Sequence, residues 1–223
     1  DRGSYLYGML AGIAAAHMLL GRDQVALICL YMLAAYVLWR WLGDHDPREV
    51  IGRSLLPLVL GGLIAAAIVV VPLALTASLA AESNRPAIDY EGAGRGSLHP
   101  ALLVTFLVPQ IFGAAGAMAE YWGPPSFTWH DTGLYIAQNM GQVYVGLVPF
   151  LMIALALLSG RLWSREIRFF TIALGIVLLY ALGWYTPVFR LLYEIVPGVK
   201  LYRRPADATF VIGGRAAILA GYV

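Results

Sequence analysis

Long apolar runs separated by short polar segments follow one another along this 223-residue chain. The runs fall at 5–20, 25–42, 55–80, 101–119, 143–158, 169–184 and 210–223. A helix needs ~20 apolar residues to cross ~30 Å of hydrocarbon at ~1.5 Å per residue. The first run, about 16 residues, is therefore a thin span or does not cross. The run at 55–80 reaches about 39 Å as a helix, so it tilts or projects beyond a bilayer. Pro57 sits near its start, where a missing N–H matters little, whereas Pro72 lies well inside and predicts a kink. Pro109-Gln110, followed by Gly113 and Gly116, interrupts 101–119 and predicts a re-entrant or broken helix facing protein or a water-filled cavity. The pattern predicts an all-α fold: a polytopic transmembrane helical bundle over 1–223, with extracytoplasmic loops.

The polar segments carry the remaining signals. A tight turn at 21–24 joins the first two runs, and Trp39-Arg40-Trp41 ends the second as an interfacial belt with a snorkelling arginine. The segment 43–54 reads as a charged loop, and 82–100 as a longer polar loop. Residues 120–142 hold Tyr121, Trp122, Phe127, Trp129 and Tyr135 and no Lys or Arg, which suits the headgroup level or stacking on sugars and polyprenyl chains. In 185–209, Pro187, Pro197 and Pro205 forbid one continuous helix.

Composition agrees with a membrane protein: 60% of residues are hydrophobic and 13% charged, against about 25% charged in soluble domains. A formal net charge of +2 is too small to suggest nucleic acid. With Cys29 alone, neither an intramolecular disulfide nor a thiolate metal cluster can form. The chain starts at Asp1 without a signal-peptide pattern and stops at Val223 inside an apolar run, so it reads as an internal piece of a longer protein.

Basic residues orient the chain by the positive-inside rule. If 101–119 does not cross, 161–168 (Arg161, Arg165, Arg168) and 43–54 (Arg48, Arg53, with Arg40 beside them) both lie in the cytoplasm. The loops 82–142 and 185–209 then share the outer face. Arg190, Lys200, Arg203 and Arg204 in 185–209 thus lie where such residues should be scarce. A lipid-linked phosphate explains them, because guanidinium binds phosphate oxygens bidentately and is always charged. Pairing with Glu194, Asp207 or bilayer headgroups is the structural alternative.

Three further patterns carry weaker signals. His17 reads as a buried polar contact or a proton carrier. Asp44-His45-Asp46 has metal-ligand chemistry, but adjacent residues in a mixed-charge loop are usually solvated. Gly92, Gly94 and Gly96 form G-x-G-x-G without the strand and helix that a dinucleotide site requires, so a flexible loop is expected.

A set of short motifs is then found in order: G-R-D-Q-V-A-L at 21–27, S-N-R-P at 83–86, S-L-H-P at 97–100, P-Q-I-F-G at 109–113, Y-W-G at 121–123, Y-V-G-L-V-P at 144–149, P-G-V-K-L-Y-R-R-P-A at 197–206 and L-A-G-Y at 219–222. Over nearly the whole chain this set resembles the YfhO family of bacterial membrane proteins, which is similar to the GT-C superfamily of polytopic glycosyltransferases. The chain departs from the family in V-V-V-P at 69–72, where many relatives have Q-L-L-P, and in Asp207, where arginine is common.

The resemblance implies an enzyme of the bacterial inner membrane that transfers a sugar from a polyprenyl-phosphate donor to an extracytoplasmic cell-envelope acceptor. It puts the usual catalytic acid in a first outer loop that precedes Asp1. Arg203 and Arg204 are the expected phosphate ligands, with Lys200 and Arg190 as outlying members. Asp89, Glu91, His99, His130 and Asp131 share the outer compartment and are candidates to touch the acceptor, or the shell of a divalent metal ion if one is used; no resident metal site or other cofactor is expected. Membrane lipids are the remaining partners. A flippase for a lipid-linked sugar, or a non-catalytic subunit packing through Gly8-x-x-x-Gly12, are the competing readings.

Overall fold

Apolar sequence with few β-branched alternations and abundant Ala and Leu favours helix, and helix is the only regular secondary structure among the residues that the computed structural model describes: 4–21, 23–82, 88–113, 121–124 and 143–223. Among these residues there is no strand. The chain divides into two compact units, Asp1–Pro86 and Ala87–Val223.

The first unit is three helices: α1 (Tyr5–Leu19), α2 (Asp23–Leu42) and α3 (Pro47–Glu82). The expected loop at 43–54 is only a turn, because α3 starts eight residues earlier than the apolar run suggested. Pro47 supplies a preset φ at the first turn, and Asp46 Oδ1 accepts the Glu49 N–H (3.3 Å) as an N-cap. Glu49 and Arg53 then pair at 3.0 Å one turn apart. The D-H-D run is spent locally in the same way: Asp44 Oδ1 accepts the His45 N–H at 2.8 Å. Trp41 Nε1 donates to Ser54 Oγ (2.8 Å), tying the end of α2 to the start of α3.

α1 lies against α3 through small residues. Gly8 meets the backbone of Pro57, and Gly12 meets the backbone of Gly61; a Cβ at either glycine would overlap main-chain atoms. Ala16, Ala65 and Val69 continue the contact, with Ala15 and Leu19 beside them. The Gly8-x-x-x-Gly12 face, expected to be open to a partner, is thus covered from within the unit. His17 Nδ1 lies 2.9 Å from the Ile13 carbonyl oxygen, a local helix contact.

α2 and α3 are long and apolar enough to cross a membrane, over Gln24–Leu42 and Pro47–Leu79. Only 11% and 17% of their most apolar windows is buried, so neither is a core helix within this unit. Leu55, Leu63, Val71, Leu73, Leu75 and Leu79 of α3 are exposed. α3 runs for 36 residues with both Pro57 and Pro72 inside it.

The second unit contains α4 (Tyr90–Gly94), a 3-10 helix (Pro100–Phe106), α5 (Leu147–Leu158), α6 (Arg168–Ala181), α7 (Pro187–Ile195) and α8 (Thr209–Tyr222). The expected re-entrant run is described as far as 113: after the 3-10 helix it proceeds in turns, without continuous α-helix. α5 starts at Leu147, after Gly146 at φ +98°, a non-helical conformation that favours glycine. The α-helices α5, α6 and α8 have 12, 14 and 14 residues, or about 18–21 Å, less than a perpendicular crossing needs. Their shared core is Ala156, Leu162, Ile167 and Leu219, with Ile153, Phe170 and Leu174 packed on it. Residues 185–209 break at their prolines as expected: Pro187 opens α7 and Pro205 opens a 3-10 turn.

Gly12→Leu should lower stability by about 1–3 kcal/mol, since the clash is with backbone and cannot be relieved by a rotamer. Gly62→Leu, which meets nothing within 4 Å, is the control and should be neutral. Unfolding of both variants in detergent checks this, and equal stabilities would contradict the α1–α3 contact.

Candidate functional site

The segment 88–99 and the segment 181–206, more than eighty residues apart in sequence, meet through a set of backbone bonds. Asp89 Oδ1 accepts the Gly92 N–H (2.8 Å) and caps α4. The chain then turns through Arg95 and Gly96, the latter at φ +82°, where only glycine sits without strain. Leu98 N–H donates to the Ala181 carbonyl (2.8 Å), Arg204 N–H to the Arg95 carbonyl (2.8 Å) and Ala206 N–H to the Gly96 carbonyl (3.1 Å). Ser97 Oγ, fully buried, donates to the Gly94 carbonyl (2.6 Å) and accepts the Trp184 N–H (3.1 Å).

Each glycine of G-x-G-x-G has its own reason. A Cβ at Gly92 would press on the capping Asp89, one at Gly94 would overlap the Trp184 indole, and one at Gly96 would meet Arg204. The expectation of a flexible loop is therefore corrected: the spacing marks close backbone approach. Gly183, at φ +52°, completes the fit from the other side, since a Cβ there would overlap Ser97.

An aromatic cluster fixes α7 to this loop. Phe189, 1% exposed, lies between Tyr90 (5.8 Å between ring centroids), Tyr180 (5.5 Å) and Tyr193 (6.5 Å). Tyr193 Oη donates to the Ile88 carbonyl at 2.7 Å. Cations line the rim: Arg190 lies over Tyr90 (5.8 Å) and Lys200 over Tyr193 (5.4 Å).

The expected phosphate ligands differ in their surroundings. Arg190 is paired with Glu194 at 3.2 Å, which is the structural alternative realised for this residue. Arg203 and Arg204 are exposed, and among the described residues neither guanidinium takes part in an ion pair or side-chain hydrogen bond. Arg204 is also the one non-glycine described residue at positive φ (+66°), a conformation that needs support from its neighbours. Its bond to the Arg95 carbonyl, the glycine under its Cβ and the following Pro205 provide that support.

Of the acceptor-side candidates, Asp89 is committed to its cap and Glu91 is exposed in the first turn of α4. His99 Nδ1 accepts the Ala101 N–H (3.2 Å) at the start of the 3-10 helix, and its ring stands edge-on to Tyr185 at 5.1 Å. Burial pushes the imidazole below its ordinary value and the Tyr185 phenol above. His130 and Asp131 lie outside the described residues. Tyr121, expected at an aromatic belt, is buried instead, donates to the Pro124 carbonyl (2.8 Å), and has its phenol pushed up to about 12 by burial. Among the described residues no three His, Cys, Asp or Glu side chains gather to hold a metal ion.

Arg95, Ser97 and Trp184 are the residues that the sequence reading missed. The every-second-residue glycine spacing was the available signal, but its partners lie far along the chain. No family model, curated protein or solved structure matches the chain.

His99 makes the corner acid-sensitive. Its folded-state pKa lies below the free value of 6.5, so below pH 6.5 the unfolded chain takes up the proton first and stability falls until the lowered folded value is passed. His99→Asn keeps a capping acceptor and removes the titration. Wild type should lose more melting temperature than this variant between pH 7 and 5; parallel curves would contradict the assignment.

Proposed function

We propose that the chain is part of a polytopic GT-C-like glycosyltransferase, in which a polyprenyl-phosphate sugar donor is held by Arg203 and Arg204 on the extracytoplasmic side of a bacterial inner membrane. The sugar goes to a cell-envelope acceptor. The resemblance of the ordered motifs to the YfhO family is what the proposed reaction class rests on, and the exposed apolar length of α2 and α3 supports the membrane setting.

The observation that carries the reading is the pair Arg203-Arg204, exposed at a corner where the backbone is held by bonds from another segment. Displacement of a sugar from phosphate leaves charge on the departing phosphate oxygen. Guanidinium groups beside the departing oxygen stabilise that charge, and the backbone bond from Arg204 to the Arg95 carbonyl holds one of them near the corner. Lys200, held over Tyr193, adds positive potential nearby, whereas Arg190 spends its charge on Glu194. The acceptor hydroxyl also needs a carboxylate base. Asp89 is unsuited because its cap occupies it, and the resemblance puts the base in another outer loop. Arg40, Arg48 and Arg53 flank the turn between α2 and α3, which supports a cytoplasmic end for that turn by the positive-inside rule.

Transfer of labelled sugar from polyprenyl-phosphate donors by the full-length protein in membranes tests the reading. Arg203→Ala/Arg204→Ala should reduce transfer by about 100-fold while insertion is retained, as expected for losing two charge-assisted contacts of ~1.5 kcal/mol or more each. Undiminished transfer in the double variant would remove the arginine pair from the site.

A further inference from the structure

We infer that Arg95 is a third anion-binding arm of the same corner, brought there by the glycine loop to act with Arg203 and Arg204 on a phosphate oxyanion. The inference rests on the reading above that a phosphate is bound at this corner. Arg95 stands between Gly94, closed down on Trp184, and Gly96, closed down on Arg204, so its Cα is fixed on both sides. Its carbonyl accepts the Arg204 N–H at 2.8 Å, so the two arginines leave the backbone one hydrogen bond apart. The Arg95 side chain is exposed, and among the described residues it takes part in no ion pair or side-chain hydrogen bond.

Nothing in the turn requires arginine at this position. The residue has ordinary dihedrals (φ −59°, ψ 126°), and its backbone contributions, an N–H donated to the Gly92 carbonyl (3.4 Å) and a carbonyl acceptor, are open to any residue but proline. Like charges anchored on adjoining backbone repel, and an oxyanion among them turns that repulsion into attraction. Three guanidinium groups on two segments converge on a phosphate from more directions than a sequential pair can. The strained φ of Arg204 belongs to the same design, since the bond that holds Arg204 there is the bond to Arg95.

The test uses the full-length protein in phosphatidylcholine nanodiscs, with polyprenyl monophosphate as probe. Phosphatidylglycerol in the disc and inorganic phosphate in solution separate the lipid-linked donor from a general headgroup or free anion. Arg95→Gln should weaken polyprenyl-phosphate binding about tenfold, with Arg95→Lys recovering part of it and the melting temperature unchanged. Wild-type affinity in Arg95→Gln, with Arg203→Gln or Arg204→Asn weakened, would overturn the role of Arg95 and leave the phosphate reading intact. Equal binding of phosphatidylglycerol or inorganic phosphate, still lost in Arg95→Gln, would keep Arg95 as an anion ligand and overturn the polyprenyl assignment. No binding of any of these anions by wild type would overturn both.

Discussion

Close backbone approach between the glycine loop at 92–96 and the segment 183–206 is the constraint on which the second unit depends. Three positions must lack a Cβ for the loop to reach Trp184, Ser97 to sit under Gly183 and Arg204 to lie over Gly96. In return the loop supplies carbonyl acceptors for Arg204 and Ala206, whose segment is broken by prolines and cannot satisfy its N–H groups as a helix would. The aromatic packing of Phe189 among three tyrosines then fixes α7 beside the loop. A cationic rim accompanies this packing, with Lys200 over the Tyr193 ring and the Arg204 backbone bonded to the Arg95 carbonyl.

The first unit obeys the same rule with different partners. Gly8 and Gly12 let α1 approach the backbone of α3 at Pro57 and Gly61, as small residues do where apolar solvent offers no hydrophobic drive between helices. Much of the remaining apolar surface of α3 is exposed, with Leu73, Leu75 and Leu79 at 61–70% exposure among the described residues. Such a helix in water would be an aggregation liability; lipid contact is its natural cover.

Helix positions were largely legible in the sequence, because length and hydropathy alone locate apolar runs such as 25–42. Boundaries were less so. The start of α3 was hidden because Arg48, Glu49 and Arg53 look like loop residues until their one-turn pairing and the Asp46 cap are seen. The prolines of 185–209 did announce broken structure, since they act through local sterics. The candidate corner was half legible: the arginine pair stood out as a basic run in an apolar chain, whereas the docking role of G-x-G-R-G did not. Spacing shows that a backbone must come close to something but not to what, and its partners Trp184 and Arg204 lie about 90 to 110 residues away. The placement of Arg95 beside Arg204 was invisible for the same reason, since it comes from a backbone hydrogen bond to a residue in another segment.

Hydrogen exchange of individual backbone amides in the membrane-reconstituted protein reads the central contact directly. The amides of Leu98, Arg204 and Ala206, bonded to Ala181, Arg95 and Gly96, should exchange as slowly as those in the middle of α6. Exchange of these three at the rate of an open loop, with α6 still protected, would contradict the docking of the glycine loop and the cationic corner built on it.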